Sequence, residues 1–208
     1  MPRNATAKAP VRKGQVSRTT KESQVSVELL LDGTGKYDVN IGNGFFKHML
    51  EQLAKHGLMD LKLSATGDVE VGWHHVVEDT GIVLGRALRQ AVGEGRGIVR
   101  IAHAYAPLDE ALALTVVDLS GRGYAVVDTG LTHEDDLGGL PADLVRHFLE
   151  SMAREGGVTL HVRMLAGVNG HHKAEAIFKS LGRAIRAAAK VDGRAAGDIP
   201  STKGTIRG

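Results

Sequence analysis

The sequence predicts an α+β fold made by internal duplication of a β-β-α-β-α unit, with its two halves packed about a pseudo-twofold axis. First, residues 47–51 (Lys-His-Met-Leu-Glu) recur at 146–150 as Arg-His-Phe-Leu-Glu. Second, His-His-Val-Val-Glu at 74–78 recurs at 171–175 as His-His-Lys-Ala-Glu, and Leu-Gly-Arg-Ala-Leu at 84–88 recurs at 181–185. Third, strand-like and helix-like patterns follow the same order in both halves.

The first half begins with a strand signal, because Val25, Val27, Leu29 and Leu31 alternate with mostly polar residues. The Asp-Gly-Thr-Gly run at 32–35 ends this strand, and residues 37–39 are expected to be its hairpin partner. A helix is predicted over about 45–55, where Gly57 follows it. A strand over 61–65, a shorter strand over 69–71 and a helix over about 75–92 complete the half.

The second half repeats this order. A strand is predicted over 113–119, followed by the turn residues Ser-Gly-Arg-Gly and a partner strand over 124–128. Residues 129–140 form a polar, glycine-containing loop that has no counterpart in the first half. A helix over 143–154, a strand over 159–165 and a long helix over 172–190 follow.

The chain is therefore divided into four parts. Residues 1–18 are small, polar and basic, so we expect a disordered or weakly ordered arm. The first half then spans 19–97 and the second half 98–193. The tail, 194–208, is expected to be exposed and carries Pro-Ser-Thr-Lys-Gly at 200–204.

Composition excludes several classes of protein. The 26 basic and 24 acidic side chains nearly cancel, so no nucleic-acid partner is indicated. The chain has no cysteine, which leaves only nitrogen and oxygen as metal ligands. It has no long apolar run for a membrane span and no secretory signal at its start, so a cytoplasmic protein is expected.

Six of the ten histidines lie in the repeated motifs, a distribution that predicts paired metal sites. In His-His-x-x-Glu at a helix start, both histidines share a face with the glutamate, three or four residues away. Adjacent histidines point in different directions, so one doublet can serve two metals. Imidazole and carboxylate without thiolate suit Mn, Fe, Co, Ni or Zn. Six imidazoles and two carboxylates fit two six-coordinate sites with open positions.

The alternative is a purely structural role for the motif histidines. A single His-His-x-x-Glu motif is weak, and a histidine followed by Met49 and Leu50 is typical of a packing position. The duplication favours metal binding, because the neighbouring Met49 and Gln52 have changed to Phe148 and Ser151 while the histidine and glutamate persist. Four other histidines are interpreted as surface or packing residues: His56, His103, His133 and His161.

Over about residues 17–207 the chain resembles the imidazoleglycerol-phosphate dehydratase family of histidine biosynthesis. The resemblance is carried by eight segments, at 18–22, 31–35, 45–50, 74–79, 107–110, 118–122, 171–175 and 200–204. It implies a fold like domain 2 of ribosomal protein S5 and a 24-subunit shell with paired manganese sites between neighbouring subunits. It also implies dehydration of D-erythro-imidazole-glycerol phosphate to imidazole-acetol phosphate. That reaction removes a proton that is not acidic, and metal ions at the imidazole nitrogens assist such a step.

The resemblance assigns roles residue by residue. Glu22 is a candidate acid or base, and Gln52 is a candidate contact to the substrate hydroxyls. Glu78 and Glu175 are ligands that also count among the catalytic residues. Two Mn²⁺ ions per active site are expected on His48, His74, His75, Glu78, His147, His171, His172 and Glu175. The substrate phosphate is expected on Arg100, Arg122, Lys179, Ser201 and Lys203, since a dianion recruits several donors.

One departure from the family pattern leaves alternatives open. Lys47 stands where the family usually has aspartate before the first motif histidine, a position from which a carboxylate can orient a ligand. The alternative is therefore a metal-binding assembly that has lost or altered catalysis. A metal-dependent hydrolase of a phosphorylated metabolite is a third possibility, which the specific motifs disfavour.

Overall fold

Four helices lie between two four-stranded sheets in the computed structural model, which describes residues 11–195 and 197–206. Each half of the chain supplies one sheet and two helices. The first half comprises β1 (Lys13–Thr19), β2 (Ser23–Leu30), β3 (Tyr37–Ile41), α1 (Gly44–Gly57), β4 (Asp60–Gly67) and α2 (His74–Val92). The second comprises β5 (Ile101–Leu108), β6 (Ala111–Asp118), β7 (Tyr124–Asp128), α3 (Asp143–Gly156), β8 (Thr159–Ala166) and α4 (Gly170–Ala189).

The sheets share one topology, so the predicted duplication and the α+β class are confirmed. Strand order is β1-β2-β4-β3 in the first sheet and β5-β6-β8-β7 in the second. The predicted hairpins are wrong, because β3 runs parallel to β4, and β7 parallel to β8. The reason is the intervening helix: α1 carries the chain back between β3 and β4, as parallel neighbours require a crossover.

Each half has an edge strand that the sequence did not predict. Lys13–Thr19, placed in the predicted arm, instead pairs antiparallel with β2 as β1, and β5 pairs with β6 in the same way. Residues 1–10 of that arm lie outside the described residues. The inward positions are Gly14, Val16 and Arg18 on β1 and mostly alanines on β5, so neither strand shows a clear alternation of large apolar residues. A Cβ on Gly14 would lie 1.9 Å from the carbonyl oxygen of Ala87 in α2.

A second local correction concerns the segment before α2. Val69–Val71 forms a 3₁₀ helix where a short strand was predicted. Val71 is 70% exposed and Val69 43%, so neither valine has a core to face. The segment instead carries the chain from β4 to the start of α2.

The two halves meet through their helices and share one hydrophobic core. α2 packs against α3, and α1 packs against α4. Glycines let the backbones approach: a Cβ on Gly85 would lie 2.4 Å from the carbonyl oxygen of Met152, and one on Gly182 would lie 2.5 Å from that of Leu53. No helix among the described residues is long and apolar enough to cross a membrane.

Gly85→Ala is therefore expected to lower the free energy of unfolding by about 1–3 kcal/mol, because the new methyl group meets backbone that cannot turn aside. Urea denaturation followed by circular dichroism measures the change. Gly44→Ala is the matched control, since it is also helical and has no atom within 4 Å of the added Cβ. Equal stability of the two variants would contradict the proposed close approach.

Candidate metal centre

A first cluster of potential metal ligands joins α1 of the first half to α4 of the second. His171 and Glu175 are one turn apart on α4, and His48 faces them from α1. The Nε2 atoms of His48 and His171 lie 3.1 and 3.2 Å from Oε2 of Glu175. One ligand atom from each of the three residues lies within 4.8 Å of the others, so the group can hold a metal ion.

A second cluster repeats the first with the halves exchanged. His74 and Glu78 lie on α2, and His147 faces them from α3. The imidazole rings of His74 and His147 are 4.5 Å apart, and Nε2 of His147 lies 3.4 Å from Oε1 of Glu78. One ligand atom from each of these three residues also lies within 4.8 Å of the others. We call the two clusters the α1/α4 triad and the α2/α3 triad; each takes ligands from both halves.

The residues of the α2/α3 triad fit a bound metal. Nε2 of His147 is buried and has no hydrogen-bond partner among the described residues. A buried polar atom without a partner is costly, and it therefore calls for an explanation. A metal ion bound by the two imidazoles and the carboxylate would give Nε2 of His147 a partner. Nitrogen and oxygen ligands of this kind suit a first-row divalent metal.

The glutamate of the α1/α4 triad has a charged neighbour that the glutamate of the α2/α3 triad lacks. Burial would raise the pKa of Glu175, but hydrogen bonds from Lys179, His48 and His171 outweigh burial and hold that pKa at about 2. Lys179 Nζ lies 2.6 Å from Oε1 of Glu175. The equivalent position beside Glu78 is Ile82, so Glu78 has no such lysine. The duplicated carboxylates are therefore in different electrostatic surroundings.

The second histidine of each doublet, His75 or His172, stands outside both triads. His75 Nδ1 lies 3.1 Å from both carboxylate oxygens of Asp68, and His172 Nδ1 lies 2.7 Å from Oε2 of Glu110. These hydrogen bonds raise the pKa of both histidines, and the bond from His172 is the main cause that lowers the pKa of Glu110 to about 2. With Nδ1 donating, Nε2 of each ring is the nitrogen left to bind a metal.

Sequence reasoning assigned no role to either carboxylate that orients these histidines. Asp68 directly follows β4. Glu110 occupies the position that Glu22 occupies in the first half, after the corresponding edge strand, and this correspondence could have marked it. Glu22 itself is exposed and acts on His75 through its charge, whereas the hydrogen bond to His75 comes from Asp68.

Two further predicted positions lie around the α1/α4 triad. Gln52 is one turn after His48, with its Nε2 3.4 Å from Nε2 of His48. Lys47 turns away toward Glu51, with a 3.9 Å separation between Nζ and Oε1, and its side chain is 46% exposed. The lysine therefore does not enter the triad.

The phosphate candidates fall into two groups. Arg100, Arg122, Ser201 and Lys203 line one cleft of about 530 Å³, which we call the tail cleft. Arg100 forms this cleft by joining β6 to the tail: its Nε lies 2.7 Å from Oδ1 of Asp118, and its Nη1 lies 2.7 Å from the carbonyl oxygen of Pro200. Lys179 is not part of this cleft and is bound to Glu175 instead.

Comparison with known proteins identifies related chains. The family model described as imidazoleglycerol-phosphate dehydratase matches residues 41–185. The imidazoleglycerol-phosphate dehydratase of Dehalococcoides mccartyi (strain CBDB1) is 52% identical over 195 residues, which cover 94% of this chain and 97% of the relative. That of Dinoroseobacter shibae (strain DSM 16493 / NCIMB 14021 / DFL 12) is 50% identical over 196 residues, covering 94% and 100%.

Solved structures agree with this assignment. The crystal structure of IGPD from Pyrococcus furiosus in complex with (S)-C348 has a TM-score of 0.77 and 36% identity, and covers 91% of this chain and 99% of that one. The crystal structure of the dehydratase from Staphylococcus aureus subsp. aureus N315 has a TM-score of 0.75 and 33% identity, covering 86% and 99%.

We expect Mn²⁺ to stabilise the chelator-treated protein, because the triads join the two halves and a ligand of the folded state adds to stability. At a free concentration 100 times the dissociation constant the gain is about 2.7 kcal/mol per site. Thermal unfolding with and without Mn²⁺ measures it. His48→Ala/His147→Ala should abolish most of the gain, whereas His133→Ala, an exposed loop histidine, should retain it. An equal gain in both variants would refute metal binding at the triads.

Proposed function

The chain belongs to the imidazoleglycerol-phosphate dehydratase family of hydro-lyases, and on that premise we propose that its triads carry a metal-dependent dehydration. The substrate is D-erythro-imidazole-glycerol phosphate, and the product is imidazole-acetol phosphate in histidine biosynthesis. Water leaves as a hydroxide from the carbon beside the ring and a proton from the neighbouring carbon, and the resulting enol tautomerises to the ketone product. The observation that carries the proposal is the duplicated His-His-Glu triad in a chain about 50% identical to dehydratases.

We propose Mn²⁺ as the metal, held by the two triads together with His75 and His172. Eight imidazole and carboxylate ligands without thiolate are compatible with manganese. When bound, the ion supplies Lewis-acid polarisation of the substrate's imidazole ring. Asp68 and Glu110 support this assignment, because a carboxylate on Nδ1 fixes the ring and makes Nε2 a better ligand.

Within the site, we assign Glu22 the proton transfer. Its carboxylate is exposed, and its negative charge contributes to the raised pKa of the proposed ligand His75. Glu110, its counterpart in the second half, is occupied by His172 and by two backbone N–H groups. Glu22 is thus the member of the pair that is left to exchange a proton. Gln52, beside His48, is placed to donate a hydrogen bond to a substrate hydroxyl.

We assign the tail cleft to the phosphate. It gathers three cations and the Ser201 hydroxyl, and a dianion binds best where several charged donors converge. Arg122 and Lys203 have no ion-pair partner among the described residues, so their charges are available. Lys179 does not line the tail cleft of its own chain, because its ammonium group is paired with Glu175 on α4. We propose that it joins the phosphate site of another copy of the chain.

Assembly into a 24-subunit shell follows as part of the same proposal. Each triad offers three ligands, and a metal of six-coordinate preference accepts more. Nε2 of His172 has no hydrogen bond among the described residues; the exposed Asp109 carboxylate lies 3.8 Å away, beyond hydrogen-bond reach. We propose that His75 and His172 complete triads in neighbouring copies, which links metal binding to association.

The alternative is an assembly that binds metal but does not turn over, suggested by Lys47. Lys47 pairs outward with Glu51 and leaves the triad ligands undisturbed, an arrangement that favours the active enzyme.

Purified protein treated with chelator should convert imidazole-glycerol phosphate only after Mn²⁺ is added back. Glu175→Gln should reduce kcat/KM by at least roughly 100-fold, since it removes a ligand rather than its support. Lys47→Asp should stay within a few-fold of the unmodified chain, because this side chain points away from the triad. Bound metal without turnover in the unmodified protein would establish the inactive assembly instead.

Chelation should also convert a large particle into small oligomers, because metal binding and association share free energy. Sedimentation velocity, before and after chelation, measures the particle size. His172→Ala should shift the population toward small oligomers even with Mn²⁺ present, whereas His133→Ala should not. A particle of unchanged size after the metal is stripped would overturn the linkage.

A further inference from the structure

A basic cleft of about 880 Å³ lies beside the C-terminal half of α4. The turn after β2 and the edge strand β5 form its other walls. Among the described residues, its lining shares no member with the triads or with the tail cleft. Its charged and aromatic lining residues are Arg12, Asp32, His103, Tyr105, Arg183, Arg186 and Lys190.

Positive charge in this cleft exceeds negative charge. Arg12 is neutralised, since its guanidinium binds the Asp32 carboxylate. Arg183, Arg186 and Lys190 are exposed, and none has a hydrogen bond or ion pair from its side chain among the described residues. Three like charges that converge without a counterion repel one another, and a bound anion removes that repulsion.

The duplicated half shows what a neutralised version of the cleft looks like. Arg86 and Arg89 are the first-half equivalents of Arg183 and Arg186, and they line a smaller cleft of about 390 Å³ with Glu155. Arg86 Nε lies 2.7 Å from Oε2 of Glu155, so Arg86 already has a counterion within the chain.

In the cleft beside α4 the corresponding carboxylate has been lost. His56 occupies the position equivalent to Glu155. An imidazole is either neutral or positively charged, so His56 cannot supply the negative charge that Glu155 supplies in the other half. Lys190 occupies the position of Gly93, which adds a cation where the other half has none.

We propose that this cleft binds a phosphorylated small molecule, with Arg183, Arg186 and Lys190 on the phosphate group. Guanidinium groups match phosphate oxygens in a two-point geometry. The remaining lining includes Leu58, Met59 and Tyr105, an apolar surface against which an organic portion can pack. The site is separate from the residues assigned to dehydration and does not depend on that assignment.

Inorganic phosphate is the probe, titrated calorimetrically into the Mn²⁺-loaded protein at low ionic strength. Arg183→Gln/Arg186→Gln should bind one phosphate fewer per chain, or bind it at least tenfold more weakly. Arg86→Gln/Arg89→Gln, the matched pair in the other half, should differ from the unmodified chain by less than twofold. Phosphate bound at the metals or in the tail cleft is common to both variants and cancels in the comparison.

Three outcomes would overturn the proposal. Equal weakening in both double variants would mean a general charge effect, and unchanged binding in both would mean that no site exists. A change of particle size in Arg183→Gln/Arg186→Gln by sedimentation would mean that the cluster faces an acidic surface of another copy. Because the readout is binding rather than turnover, failure of the dehydration proposal leaves the result interpretable.

Discussion

The close approach of helices from opposite halves is the constraint on which the rest of the molecule depends. Gly85 lets α2 lie against α3, and Gly182 lets α4 lie against α1, with backbone atoms too close for even a methyl group. Ligands one turn apart on α2 or α4 then face a single histidine on the opposing helix. If these helices separated by the width of a side chain, His48 and His147 would lose the carboxylates that they now approach at 3.1 and 3.4 Å.

Duplication gave two triads of the same plan, and their surroundings then diverged. Lys179 holds Glu175 in its ionised form, whereas Ile82 leaves Glu78 without a fixed counterion. Gln52 reaches toward His48, whereas its counterpart Ser151 is buried with an unpartnered hydroxyl. A metal ion in the α2/α3 triad would therefore not compete with a lysine for the carboxylate of Glu78, whereas one in the α1/α4 triad would compete with Lys179 for Glu175. The two sites are poised to differ in affinity although their ligands are the same.

The sequence predicted the duplication and the four α-helices, and its eight candidate ligands include the six residues that meet in the triads, because each of these has a periodic or repeated signature. It could not predict which histidine faces which glutamate, since the triads depend on contacts between helices that lie far apart in the sequence, such as the 127 residues between His48 and Glu175. The edge strands were missed because Gly14 and small inward residues on β5 replace the apolar alternation. The β3 and β7 pairings were wrong because local patterns carry no information on strand direction. The orienting roles of Asp68 and Glu110 likewise depend on tertiary contacts.

The exchange of ligands between halves also bears on ancestry. A half-length chain could not have built a triad alone, because the histidine of its first helix and the glutamate of its second helix belong to different triads. Two such chains, paired about a twofold axis through their glycine-bearing helices, would have built both triads at once. Fusion of the two copies would then have raised the effective concentration of each half for the other. A triad that once required dimerisation would thereby be built by a single polypeptide.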